Sequence, residues 1–429
     1  MDDEVRSPAP TPGRVRQSEI FRAGASGARP RVPTGWGALV GEAERAMSPD
    51  AWAYVAGSAG RESTAEANYD AFDAWRIVPR MLRDVSQRDL SIELFGRRHA
   101  TPLLTCPIGV LELVDPEADA AIARAAGSLG ITSMVSSQAS QPMETIAAEN
   151  AGPWWFQLYW SSEDALVESF VGRAEAAGAE AIVVTLDTGM LGWRPRDLDR
   201  GFLPFIRGMG IAQYTSDPVF RRLVRERMAR PGSGEKPRVT PAAIRTLVEM
   251  TRRYPGRFGE LLRSGEPRVA VETFLDVFSR PALSWADLEF LRERTRLPIL
   301  LKGVQHPDDA RRALDAGVDG LVVSTHGGRQ VDGAIGALDA LPGVVEAVDA
   351  RVPVILDSGV RGGADVVRAL ALGATAVGIG RAWVYGLAIA GEDGARQVLR
   401  DIVAETDLTL GLTGHASVAE LGPDDLVRL

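Results

Sequence analysis

The 429-residue chain has a single cysteine, Cys106, and four histidines, at positions 99, 306, 326 and 415. One thiol cannot close an internal disulfide, and histidines so scattered offer no metal-ligand spacing, so any chemistry here calls for an organic cofactor or none. No apolar run is long enough to span a bilayer, and the first thirty residues carry no hydrophobic signal core, so no membrane partner and a cytoplasmic location are expected. No stretch of Lys and Arg is interleaved with aromatics, and a formal net charge of -9 opposes a polyanion, which excludes nucleic acid as an expected partner. What remains is an ordinary globular composition, 45% hydrophobic and 24% charged, enough for a large core.

Residues 1 to about 35 are rich in Pro, Gly, Ser and Arg and show no apolar period, so a disordered or extended N-terminal arm is expected there. From Trp36 to Met81 apolar residues recur at three- and four-residue spacing, which predicts a helical preface. From about residue 102 a different rhythm sets in. Short apolar runs (PLLTCPIG, TSMVSSQ, WWFQLYW, AIVVTLDT, LPILLKG, GLVVSTHGG, VPVILDSGV, TAVGIGR) alternate with helix-period segments such as PEADAAIARAAGSLG and ADVVRALALGA. Strands apolar on both faces and separated by amphipathic helices are parallel strands, and this number of them fits a (β/α)8 TIM barrel over residues 36–429. The rhythm breaks once after strand 4, over about 189–283, where a partly mobile lid on the barrel mouth is expected; a surface insertion for oligomer contacts is the alternative.

Catalytic groups of such barrels sit at the C-terminal strand ends. In order these ends read Pro107-Ile108-Gly109, Ser136, Gln157 with Tyr159, Thr185 with Asp187, Lys302, Ser324 with His326, Asp357, and Gly380-Arg381. Nearly every one offers a hydrogen-bonding group or bare backbone.

The stretch VSTHGGRQVDG, followed by VILDSGVRGGADVVRALALGATAVGIGR, resembles the signature of the FMN-dependent 2-hydroxy acid oxidase and dehydrogenase family. AYVAGSAGREST, WRIVPRML, PIGVLEL, FQLYW and LDTGMLGWRPRDLD are similar to its lactate monooxygenase branch. The resemblance implies FMN as cofactor, a small (S)-2-hydroxy acid as substrate, molecular oxygen as oxidant and a homotetramer or larger assembly. It leaves open whether the outcome is acetate and carbon dioxide, a 2-oxo acid and peroxide, or electrons passed to a quinone or carrier.

Roles can be argued beside that resemblance. A substrate carboxylate is best gripped by guanidinium forks, here Arg194 and Arg329. Proton removal needs a base titrating near neutrality, His326, whose proton affinity Asp187 would raise. Lys302 would face the flavin N1 and C2 carbonyl, where negative charge collects on reduction. The loops after strands seven and eight, the usual phosphate site of barrels, supply Gly359, Arg361, Gly380 and Arg381. The resemblance further implies that Asp357 bonds the ribityl hydroxyls, that Ser136, Gln157, Thr185 and Ser324 bond the isoalloxazine edge, and that Pro107, Ile108 and Gly109 run behind the ring; Ser358, next to Asp357, is counted with the cofactor-binding residues. It also has Tyr54 and Tyr159 orient the substrate, although spacing alone would make Tyr159 a core aromatic. Four positions depart from the wider family: Gly109 replaces the alanine common in oxidases, Gln138 stands where plant glycolate oxidases carry tryptophan, Thr325 replaces asparagine and Ser358 replaces glycine.

Overall fold

A computed structural model of the protein describes residues 11–230 and 239–429. Eight parallel strands close a barrel: β1 (Leu103–Thr105), β2 (Thr132–Ser136), β3 (Trp154–Leu158), β4 (Ile182–Thr185), β5 (Ile299–Lys302), β6 (Gly320–Val323), β7 (Val354–Leu356) and β8 (Ala376–Ile379). Each falls inside one of the apolar runs read from the sequence. The last strand pairs with the first, so no edge is left to template aggregation.

Side chains alternate along a strand, and this places the site. Leu104, Met134, Trp155, Val183, Leu300, Val322, Ile355 and Ala376, one from each strand, form a dry layer inside the barrel. Two residues further on, on the same inward face, stand Cys106, Ser136, Gln157, Thr185, Lys302, Ser324, Asp357 and Gly378, all buried. The polar layer therefore rests on an apolar floor. The hairpin Ile92–Leu94/Arg97–His99 closes the opposite end, with Leu94 in the inner layer and the Phe95 ring 5.6 Å from that of Trp155.

The preface is helical over Trp36–Ala46, Pro49–Ala56 and Ser63–Asp73. It ends earlier than its periodicity predicts, because Trp75–Ile77 pairs antiparallel with the C-terminal Leu426–Arg428. The expectation of an extended arm over residues 1–35 also fails in part. Pro12–Ala25 is an α-helix lying against the last helix, Arg381–Leu412. The Gly13 amide donates to Asp407 Oδ2 at 2.9 Å, and a Cβ there would meet Leu408 Cγ at 2.5 Å. The helix is held by a long-range contact, so its own weak apolar periodicity could not announce it. Residues 1–10 lie outside the described residues.

The insertion is a folded helical cap, with Pro218–Ala229, Pro241–Arg253 and Glu266–Val277 as its longer helices. Its own aromatic core joins Phe205, Tyr214, Phe220 and Phe274, with the Tyr214 ring 4.8 Å from Phe274 and 4.9 Å from Phe170 of the barrel helix Asp164–Ala176. Arg173 of that helix pairs with Asp217 at 3.0 Å. Of the Gly- and charge-rich portion RERMARPGSGEKPRVTP, residues 231–238 lie outside the described residues. Among the described residues no helix is long and apolar enough to cross a membrane.

Candidate active site

His326 stands just past β6 with φ +57°, a left-handed conformation that costs a β-carbon residue free energy and persists only when its surroundings fix it. Its amide donates to Ser324 Oγ at 3.0 Å. Gly327 and Gly328 continue the left-handed turn, and any β-carbon at Gly328 would strike the Ala65 amide at 2.6 Å. Gly328 is thus demanded by close packing against the preface, while a β-carbon on Gly327 would lie 2.8 Å from the guanidinium of Arg381.

The ring of His326 has two distinct faces. Nδ1 lies 2.8 Å from Asp187 Oδ1, while Nε2 faces the Tyr159 hydroxyl at 3.5 Å. With the proton held on Nδ1 by the carboxylate, Nε2 is a lone-pair acceptor at the cavity. Burial pushes the imidazole below its ordinary proton affinity, and Lys302 and Arg194 add to this; Asp187 pulls the other way without outweighing them. The Asp187 contribution has the sign expected from the sequence, and burial exceeds it. Tyr159 is pushed up to about 12 by burial and by Asp187, so it remains a neutral hydroxyl, and burial likewise raises Tyr54. The other histidines are engaged elsewhere: His99 near Thr132, His306 capping the helix Pro307–Asp315, and His415 with Asp425.

Lys302 is one of only two lysines in the chain. Its ammonium donates to Ser324 Oγ at 2.5 Å and to Asp357 Oδ2 at 2.6 Å, fully inside the barrel top. Burial works against its charge, but Asp357 and Asp187 hold the proton on more firmly than in water. Ser358, with φ +77°, receives the amides of Thr325 (3.2 Å) and Gly327 (3.0 Å) and donates to Asp357 Oδ1 at 2.9 Å. Its hydroxyl therefore ties the β6 loop to the β7 loop, a contact glycine could not make. Thr325 bonds Asn68 of the preface.

Three guanidinium groups reach the same cavity, and each is held by neutral oxygens. Arg194 donates to the Arg329 carbonyl (3.1 Å) and Gln330 Oε1 (2.7 Å). Arg329 donates to the carbonyls of Tyr54 and Gly57 and stacks over the Tyr54 ring at 4.9 Å. Arg381 donates to the carbonyls of Val55, Gly57 and Gly327 and to Ser58 Oγ. Burial lowers the proton affinity of Arg329, and Arg194 and Arg381 lower it further. Guanidinium groups held in a cavity by neutral oxygens keep their charge available to an anionic guest.

One cavity is lined by Tyr54, Pro107, Ile108, Gly109, Tyr159, Arg194, Lys302, His326, Arg329, Asp357, Ser358, Gly359, Gly380 and Arg381 of the residues read from the sequence. Asp187 and Ser324 stand behind that wall, bonded to His326 and Lys302. Ser136, Gln157 and Thr185 occupy the polar layer beside it. Arg361 is the exception. It turns to Asp73 (2.8 Å) and Asp365 (3.3 Å) and is no part of the cavity wall, because those carboxylates satisfy its charge. Sequence reading passed over Thr188, which also lines the cavity and bonds Asp187 Oδ1 at 3.1 Å, and Gln330, whose amide touches Arg194. Both sit beside residues singled out by motif, and adjacency was the only signal available.

The flavin implied by the sequence fits these residues. Gln157 Nε2 and Thr185 Oγ1 are buried with no partner among the described residues, as the hydrogen-bonding edge of an isoalloxazine requires. Lys302 would face the same edge, Asp357 the ribityl hydroxyls, and Arg381, with the bare backbone of Gly359 and Gly380, the phosphate.

Residues 43–428 match the family model of FMN-dependent dehydrogenases. An FMN-dependent alpha-hydroxy acid dehydrogenase of Penicillium citrinum is 40% identical, over 96% of this chain and 95% of its own length. An L-lactate oxidase of Lysinibacillus sphaericus is 41% identical, over 87% and 88% respectively. A crystal structure of mandelate oxidase with (S)-4-hydroxymandelic acid superposes with a TM-score of 0.76 at 33% identity, covering 92% of this chain and 99% of that one.

Proposed function

From the premise that this chain belongs to the FMN-dependent dehydrogenase family and oxidises 2-hydroxy acids with FMN, we propose that its substrate is a small (S)-2-hydroxy acid, L-lactate foremost, and that the overall reaction is lactate plus oxygen to acetate, carbon dioxide and water. The observation that carries this reading is that Arg194, Arg329 and the Nε2 face of His326 line one cavity.

In this reading Arg194 and Arg329 take the substrate carboxylate in charge-assisted bonds and aim its α-carbon. The hydroxyls of Tyr54 and Tyr159 fix the 2-hydroxyl. His326 Nε2 accepts a proton from the substrate, and the resulting imidazolium is stabilised by Asp187 on Nδ1. Bound FMN supplies the two-electron acceptor. Lys302 keeps a fixed positive charge beside it, which requires no reorganisation during the reaction. Ser358 belongs with Asp357 at the ribityl side of the cavity.

The decarboxylating outcome requires the 2-oxo acid and hydrogen peroxide to meet before either leaves, giving acetate, carbon dioxide and water. Phe205 and Phe278 of the cap, with Leu191, lie along the cavity and support such retention. Gly109 leaves that wall uncrowded, since any β-carbon there would sit 2.9 Å from Gln138 Cβ. The L-lactate oxidase relatives favour the second reading, in which pyruvate and peroxide are released. A homotetramer or larger assembly, which light scattering would test, and a cytoplasmic location belong to the same proposal.

The test is anaerobic bleaching of the FMN-loaded protein by lactate, glycolate, mandelate and longer 2-hydroxy acids, followed by product analysis in air. Fastest bleaching by L-lactate with acetate and carbon dioxide in equal amounts is expected. Pyruvate with stoichiometric peroxide overturns the monooxygenase reading. Bleaching without oxygen consumption points to a carrier-linked dehydrogenase, and no bleaching by any member of the series removes the substrate class.

A further inference from the structure

Gln330 follows Arg329 in the motif that carries the family resemblance, and its side-chain amide is bonded at every position. Oε1 accepts from Arg194 NH2 at 2.7 Å and from the Gly192 amide at 3.4 Å. Nε2 donates to the carbonyls of Asp187 (2.7 Å) and Met190 (2.9 Å). A single primary amide thus pins the loop after β4 at its start, its middle and its end. The start carries the carboxylate partner of His326, and the end carries a guanidinium of the cavity. The two loops touch closely here, since a β-carbon on Gly192 would lie 2.5 Å from the Arg329 carbonyl.

The chemistry of the side chain matters as much as its reach. An amide has one acceptor and one donor end, matched here to a cation on one side and to two carbonyls on the other. Glutamate, of the same shape, would turn an acceptor toward the two carbonyls and bring a negative charge to Arg194. Arg194 would then be paired before any substrate arrived. A neutral acceptor orients the guanidinium and leaves its charge available.

We propose that Gln330 is a positioning residue for anion binding, holding Arg194 and the Asp187 loop in place through an uncharged amide. This rests on the reading of Arg194 as a carboxylate ligand. The test titrates propionate, a carboxylate with no oxidisable hydroxyl, into the FMN-loaded wild type and the variants Gln330→Met and Gln330→Glu, following the flavin absorbance. Flavin content and melting temperature are recorded alongside. Loss of the amide in Gln330→Met is expected to weaken propionate binding about tenfold, as for one hydrogen bond to a charged group. Gln330→Glu is expected to weaken it about a hundredfold, because it adds a competing charge as well. A purely structural role predicts the reverse order, since glutamate is isosteric and methionine is not. That reverse order, or affinities within threefold of wild type in both variants, overturns the proposal while leaving the site reading intact. A wild type that is bleached by no 2-hydroxy acid and binds no propionate overturns both.

Discussion

Asp187 Oδ1 and His326 Nδ1 lie 2.8 Å apart, and this contact decides which nitrogen of the imidazole meets the substrate. The carboxylate fixes one tautomer and will stabilise the imidazolium formed when Nε2 takes a proton. Asp187→Asn keeps an acceptor but loses the charge. The anaerobic flavin-reduction rate is expected to fall by about 10²-fold or more, the usual weight of a positioned acid or base.

The same pair sets a pH dependence. The base acts when neutral, and burial holds His326 below its ordinary value of 6.5. Flavin reduction in the wild type should therefore stay level as pH falls to that value and decline only below it. In Asp187→Asn the contribution that raises the proton affinity is gone, so the acid limb should move lower still. Stopped-flow rates across the range check both, and a limb above the ordinary imidazole value in the wild type would contradict them.

Lys302 and Asp357 form a buried ion pair at 2.6 Å. Removing one member strands the other, at a cost of about 3–5 kcal/mol. Lys302→Met and Asp357→Asn should each destabilise the FMN-free protein, and the double variant should lose less than the sum of the two. Denaturant unfolding of the four proteins measures the coupling. Additive losses would mean that the two charges are independently solvated.

Ser358 separates backbone strain from hydrogen bonding. At φ +77°, Ser358→Gly relieves a left-handed cost of about 1 kcal/mol and Ser358→Ala does not, yet both lose the hydroxyl that receives the Thr325 and Gly327 amides. If the hydroxyl holds the His326 loop, both variants slow flavin reduction, and glycine restores stability without restoring rate. Recovery of wild-type rate in Ser358→Gly would assign the loss in alanine to strain alone.

Asp119, buried near the loop that carries Gln138, accepts the Ser140 amide at 2.7 Å. Burial pushes its carboxyl up to about 7 from 3.8. The folded state thus holds this proton over a range where the unfolded state has released it, so stability falls as pH rises from 3.8 to about 7 and then levels. Asp119→Asn removes that dependence. Its gain in melting temperature over wild type should grow between those two values and plateau above them; a gain that does not change with pH would show that the carboxyl titrates normally.

The barrel and most of the site were legible because both are written in local pattern. Strand periodicity puts Lys302 two residues beyond Leu300 and Asp357 two beyond Ile355 on the inward face, whatever the rest of the chain does. The motif around His326 records a left-handed turn that only glycines can continue. By itself the sequence determined which strand ends carry polar groups toward the mouth of the barrel. Tertiary structure alone decided how those groups are partnered. Arg361 turns to Asp73, 288 residues away, while Arg381 meets only neutral oxygens, and the helix Pro12–Ala25 docks where an arm was expected. The net proton affinity of His326 depends on burial and on two cations from elsewhere in the chain, Lys302 at the end of β5 and Arg194 in the loop after β4. A guanidinium or an imidazole has the same letter in every environment, and its partners come from segments whose approach is fixed by packing, which no window of sequence contains.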